Sequence, residues 1–192
     1  MFNGESIYLP FEKGGPGGDL AAQASSTNLP QSPFSKGEAD PVLHLIGIGS
    51  PFGADDVGWR IIEQLRDSVR LKPFSSQLTF EQSDRPGASL LAMLEGKEVV
   101  MLIDAMVSGG VPGTVKLFHA DELAEVTGLL SSHGFGVRDA LALGKTLGVL
   151  PARLQVAGVE ISPSAMTADA ALQGAVATVE SALLALLNAQ EL

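Results

Sequence analysis

Seven residues, Val42-Leu43-His44-Leu45-Ile46-Gly47-Ile48, form an almost continuously apolar run, which limits the folds open to this chain. A strand with one face in water alternates apolar and polar residues. One without alternation is buried on both faces, as in a parallel sheet covered by helices. Gly49-Ser50-Pro51-Phe52-Gly53-Ala54 follows as turn chemistry, then Asp55-Asp56 and a helical pattern in Val57, Ile61, Ile62, Leu65 and Val69. A strand that ends this way brings carboxylates to the rim of a sheet.

The same grammar continues to the C-terminus. Leu78–Gln82 reads as a second, more exposed strand and Ala88–Leu94 as a short helix. Val99–Ile103 is the clearest central strand, ending on Asp104. Gly109–Gly113 is a turn and Thr114–Phe118 a fourth strand. A helix is expected from Asp121 to Gly128, and another through Val137, Ala140, Leu141 and Leu147, with Pro151 beyond its end. Leu154–Val159 is the fifth strand, and Met166, Leu172, Val176, Val179, Leu183 and Leu187 stripe a long final helix. Strands alternating with helices imply an α/β fold: a mostly parallel, twisted five-stranded sheet with helices on both faces. Residues 1–40 differ, with Gly14-Gly15-Pro16-Gly17-Gly18 and Pro30-Gln31-Ser32-Pro33 lacking sustained periodicity. They read as an irregular N-terminal extension, with residues 41–192 as the α/β domain.

Composition narrows the function classes. With 192 residues, one domain with a sizeable core is expected. The net charge of −10 disfavours nucleic acid, whose phosphates call for clustered Lys and Arg. The absence of cysteine excludes disulfides, thiolate metal sites and a Cys nucleophile, and fits the cytoplasm. No secretory signal is recognisable. No apolar run is read as reaching the roughly 18 residues of a membrane span, so no membrane insertion is expected.

In parallel α/β sheets, ligands bind beyond the carboxyl ends of the strands. Asp55 and Asp56 follow the first strand, Asp84 the second, and Asp104 the third. The loop Ser131-Ser132-His133-Gly134-Phe135-Gly136 can face the same rim. Carboxylates and an imidazole converging from separate loops suit a borderline divalent ion such as nickel, zinc or iron. Each residue also has a plainer role. Asp55 or Asp56 can cap the following helix. Asp84 can organise the turn Asp84-Arg85-Pro86-Gly87, and Asp104 can form an Asx turn. His44 reads as a satisfied core histidine and His119 as a surface one.

Two familiar alternatives fail on spacing. A dinucleotide-binding turn needs G-x-G-x-x-G, but Phe52 follows where the third glycine belongs, and Asp55 and Asp56 would repel a pyrophosphate. The G-x-S-x-G of serine hydrolases is absent, because Ile48 precedes Gly49-Ser50.

The motifs taken together resemble the hydrogenase maturation endopeptidases. Gly47-Ile48-Gly49-Ser50 through Asp55-Asp56-Val57-Gly58 is similar to that family's opening motif. Ile103-Asp104-Ala105 with Pro112-Gly113-Thr114 resembles its second motif, and Ser131–Gly136 its histidine loop. Leu154–Glu160 resembles its last strand. Ser50 stands where the family usually has Asn, and one residue is missing after Asp56, so the register admits Asp55 as well as Asp56.

The resemblance implies an endopeptidase that removes the C-terminal peptide of a nickel-loaded hydrogenase large-subunit precursor. It implies Asp56, Asp104 and His133 as metal ligands, with the nickel carried by the substrate rather than held permanently. Asp84 and Asp55 are the candidates for a general base, and no nucleophile is assigned. Two other classes are a non-catalytic module that binds the nickel precursor and a metal-dependent hydrolase of a small substrate.

Overall fold

The structure, a computed structural model, describes residues 42–51, 55–119, 122, 136–162 and 167–188. The N-terminal extension, the expected helix from Asp121 to Gly128 except Glu122, Met166 and the His133 position lie outside the described residues.

Five strands form one sheet: β1 Leu43–Gly49, β2 Leu78–Asp84, β3 Val99–Met106, β4 Val115–His119 and β5 Arg153–Glu160. Their order is β2-β1-β3-β5-β4. The pairs β1–β2, β1–β3 and β3–β5 are parallel, as expected for the apolar runs of β1 and β3. At the edge, β4 runs antiparallel to β5. The link between β3 and β4, residues 107–114, is too short for the crossover of about a dozen residues that a parallel return requires.

Helices cover both faces. On one side α1 (Val57–Arg66) and α4 (Asp169–Asn188) pack with Leu43, Leu45, Met101 and Ile103. On the other, α2 (Leu90–Leu94) and α3 (Val137–Leu147) pack with Ile46, Ile48, Val100, Leu102 and Val156. The alternation of β3 between these two cores explains why its sequence shows no polar face.

Four expectations need correction. Helix α1 ends at Arg66, and Val69 is exposed rather than part of its buried stripe. Leu147 closes α3 but faces solvent. The third strand does not end on Asp104 but continues to Met106, so this carboxylate lies within the sheet. Finally, α4 is in fact long and apolar enough to cross a membrane by length and composition. Its Leu172, Ala175, Val179, Leu183 and Leu187 are buried in the core, at the i, i+3, i+4 spacing of a helix packed on one face.

One close approach sets the height of α1 over the sheet. A Cβ on Gly58 would lie 2.2 Å from the Ile48 carbonyl oxygen and 2.6 Å from that of Ile103. A Cβ on Gly47 would meet the Gly58 carbonyl oxygen at 2.5 Å. Only glycine lets the first turn of α1 rest directly on the backbones of β1 and β3. That contact brings the residues just before α1, Asp55 and Asp56, over the carboxyl end of the sheet, beside the residue that follows Ile103.

Candidate functional site

Asp104 follows Ile103, and only 5% of it is exposed. A carboxylate inside an apolar strand is costly in its charged form. Burial, and then the negative charge of Asp55, push its pKa up from 3.8 to about 7, against a 2.9 Å hydrogen bond donated by the Ala105 N–H. That bond runs to the next residue of a continuing strand, so Asp104 does not shape an Asx turn.

Asp56 occupies the N-cap position of α1, yet its side chain makes no capping hydrogen bond. Its Oδ1 is buried and has no hydrogen-bond partner among the described residues. A buried, unsatisfied carboxylate oxygen is rare and calls for an explanation such as a bound ion. Capping does not supply one. Asp55, one residue earlier, accepts the Ser50 N–H on its backbone oxygen at 3.1 Å, and Ser50 is itself buried. The charge of Asp55 acts on both Asp104 and Arg85.

Asp84 ends β2 opposite Gly49 and is largely exposed. Its Oδ1 accepts from Arg85 Nε at 2.7 Å. That hydrogen bond holds its pKa below the usual carboxylate value. Arg85 sits at φ +38° and donates its backbone N–H to the Gly49 oxygen at 3.1 Å. The indole of Trp59 donates to the Ser83 carbonyl at 2.9 Å, tying α1 to the same corner. Neither this indole anchor nor Ser108, which meets Glu160 below, was singled out from sequence. A Trp in the first turn of a helix and a Ser after a strand carry no spacing signal.

The structure therefore brings Asp55, Asp56 and Asp104 to one rim, with Asp84 at the neighbouring strand end. His133 lies outside the described residues. His44 is partly buried, with Nδ1 2.7 Å from Thr79 Oγ1, and burial lowers its pKa. His119 is exposed. Both stand away from the rim, at or near the amino end of β1 and on the edge strand β4. A cavity of about 470 Å³ also lies at the far end of the sheet, lined by Val99, Val100, Arg153 and Leu154, where β3 and β5 begin.

Comparison with known proteins gives one consistent answer. The hydrogenase maturation protease family model (HycI) matches residues 60–186, more than half of the chain, including Asp84 and Asp104. The hydrogenase expression/formation protein HupD of Thiocapsa roseopersicina is 31% identical over 125 residues, 64% of this chain and 55% of the relative. HupM of Azotobacter chroococcum mcd 1 is 29% identical over 125 residues, again 64% of this chain and 58% of the relative. The chain thus spans little more than half the length of these curated relatives. Among solved structures, the hydrogenase maturating endopeptidase HybD from E. coli superposes with a TM-score of 0.57 at 23% identity, covering 74% of this chain and 91% of that one. That structure supports the mostly parallel α/β sheet found here, and the family model, matched through the strands and helices that carry Asp84 and Asp104, makes this chain a member of the hydrogenase maturation protease family.

Proposed function

We propose that this chain is an endopeptidase that removes the C-terminal peptide of a nickel-loaded hydrogenase large-subunit precursor in the cytoplasm. The observation that carries this reading is a buried Asp56 oxygen with no hydrogen-bond partner among the described residues, at the same strand-end rim as the buried carboxylate of Asp104. A bound cation would satisfy the Asp56 oxygen and offset the cost of a charged Asp104. Family membership supplies the class of substrate.

In this reading Asp56 and Asp104, with His133, take the nickel of the incoming precursor. The metal belongs to the substrate, and the rim recognises it. Carboxylate and imidazole leave room in the coordination shell for the precursor's own ligands. A cation so held polarises a nearby carbonyl or lowers the pKa of a bound water. Both candidate bases act on Arg85: Asp84 accepts from it at 2.7 Å, and the charge of Asp55 reaches Arg85 as well as Asp104. Either carboxylate is a candidate to accept a proton at the rim.

The test is direct. Nickel-loaded and nickel-free precursor are incubated with the protein and the products weighed by mass spectrometry. Release of a C-terminal fragment from the loaded form alone is expected. Binding without cleavage would make the protein a nickel-precursor chaperone, and turnover of small amides instead would make it a metal-dependent hydrolase of another substrate.

A further inference from the structure

Glu160, the last residue of β5, is 1% exposed. A carboxylate this deep is costly unless its oxygens are satisfied. Oε1 accepts the backbone N–H of Ser108 at 2.8 Å and that of Gly110 at 3.0 Å. Oε2 accepts the Ser108 hydroxyl at 2.6 Å. Burial pushes the pKa up, but hydrogen bonds from Ser108, Gly110 and Gly109 outweigh it, and the group is held below the usual carboxylate value.

The backbone of the same residue holds the other end of this loop. The Gly113 N–H donates to the Glu160 oxygen at 2.8 Å, and the Glu160 N–H donates to the Thr114 oxygen at 2.8 Å. One residue thus ties down both ends of the 107–114 link, which begins just past Asp104 on β3. The link contains Gly109 and Gly110, which unrestrained would sample many conformations. It exposes two apolar side chains, Val107 and Val111.

Ser108 with Glu160 on one side and Lys116 Nζ at 3.4 Å on the other suggests an activated nucleophile. The chemistry argues otherwise. A carboxylate stabilised as an anion by several donors is a poor proton acceptor. Its geometry is that of an anchor.

We propose that Glu160 is a positioning residue for substrate binding: through Ser108 and Gly110 it holds the 107–114 link in one conformation, so that Val107 and Val111 form a ready-made apolar contact at the rim for the precursor segment entering the site. This rests on the endopeptidase reading above. A loop ordered in advance spares the complex the entropy of ordering it on binding.

The test compares Glu160→Ala and Glu160→Gln in the full chain, with the nickel-loaded large-subunit precursor as probe. Gln retains an oxygen for the two backbone donors and can donate its amide to the Ser108 hydroxyl. Alanine removes all of these bonds. For Glu160→Ala, KM is expected to rise about tenfold, the equivalent of ordering one backbone residue, with kcat changed little. Glu160→Gln is expected to restore most of the affinity. An unchanged KM in Glu160→Ala, or a Gln variant as weak as Ala, would overturn the proposal. Should Glu160→Ala fail to fold, Val107→Asp and Val111→Asp test the same loop from its surface. They should raise KM, and wild-type values in both would equally overturn it. If the wild-type chain binds precursor but leaves it intact, the endopeptidase reading falls. The same variants then decide the loop proposal through Kd, a weaker Kd in Glu160→Ala supporting it and an equal one refuting it. If the wild-type chain does not bind precursor, both ideas fall together.

Discussion

The negative charge of Asp55 acts on the buried carboxyl of Asp104, although one residue precedes α1 and the other lies inside β3. Gly58 is what joins them, because its missing side chain lets the start of α1 rest on the Ile103 carbonyl. The rim thus concentrates negative charge where burial already disfavours it.

This has a consequence for stability in the metal-free protein. Asp104 has a folded pKa of about 7, above the 3.8 of the free side chain. The folded state therefore binds the proton more tightly, and stability falls as pH rises from 3.8 to about 7, then levels off. Asp104→Asn cannot titrate and escapes this loss. Relative to wild type, it should gain on the order of a few kcal/mol between the two ends of that window. Urea unfolding of both proteins, after chelation, at pH near 4 and near 8 measures the difference. An identical offset at both pH values would refute it.

Gly58→Ala is expected to be severely destabilising, because the added carbon would sit 2.2 Å from a carbonyl oxygen of β1. Backbone on both sides leaves no room to relax, and a loss above about 3 kcal/mol, or failure to fold, is expected. Gly174→Ala in α4 is the control. Nothing lies within 4 Å of its added carbon, and helix propensity predicts a gain of roughly 0.5–1 kcal/mol. Thermal unfolding of the pair reads out both signs.

Trp59→Phe keeps the ring packing and removes the 2.9 Å bond to Ser83. A cost of about 1 kcal/mol is expected. Amide hydrogen exchange should show faster opening at the end of β2, near Asp84. Unaltered protection there would mean the indole bond does not hold that corner.

Asp56→Asn and His133→Ala should each leave the fold intact and the precursor uncut. The fall in cleavage should exceed the roughly 10–100-fold that loss of a supporting residue costs at metal sites. Circular dichroism establishes the fold and mass spectrometry the product. Normal processing by either variant would remove that residue from the nickel set. Asp55→Asn separates the neighbours. If Asp55 were the ligand instead, its replacement would abolish cleavage while Asp56→Asn would not.

Much of the scaffold was legible from residue order. The apolar runs in β1 and β3 announced a covered parallel sheet, and the rule that ligands bind at strand ends led to Asp55, Asp56 and Asp104. Helix ends were less legible. Val69 and Leu147 fit the helical period but sit past or at the end of the packed surface, where periodicity says nothing about what lies opposite. Glu160 appeared in the last strand without a role, because its partners, Ser108 and Gly110, lie far away in the chain.

The sequence by itself determined the five strands, the α-helices among the described residues, and which carboxylates follow the strands, since these follow from local periodicity and turn chemistry. Only the tertiary structure decided how those carboxylates differ. Asp104 is buried and its pKa raised, Asp84 is exposed and held low by Arg85, Asp56 keeps a buried oxygen with no partner among the described residues, and Glu160 is fully bonded. The physical reason is that the charge state of a carboxylate depends on its solvent access and its neighbours, and both are set by packing between distant parts of the chain.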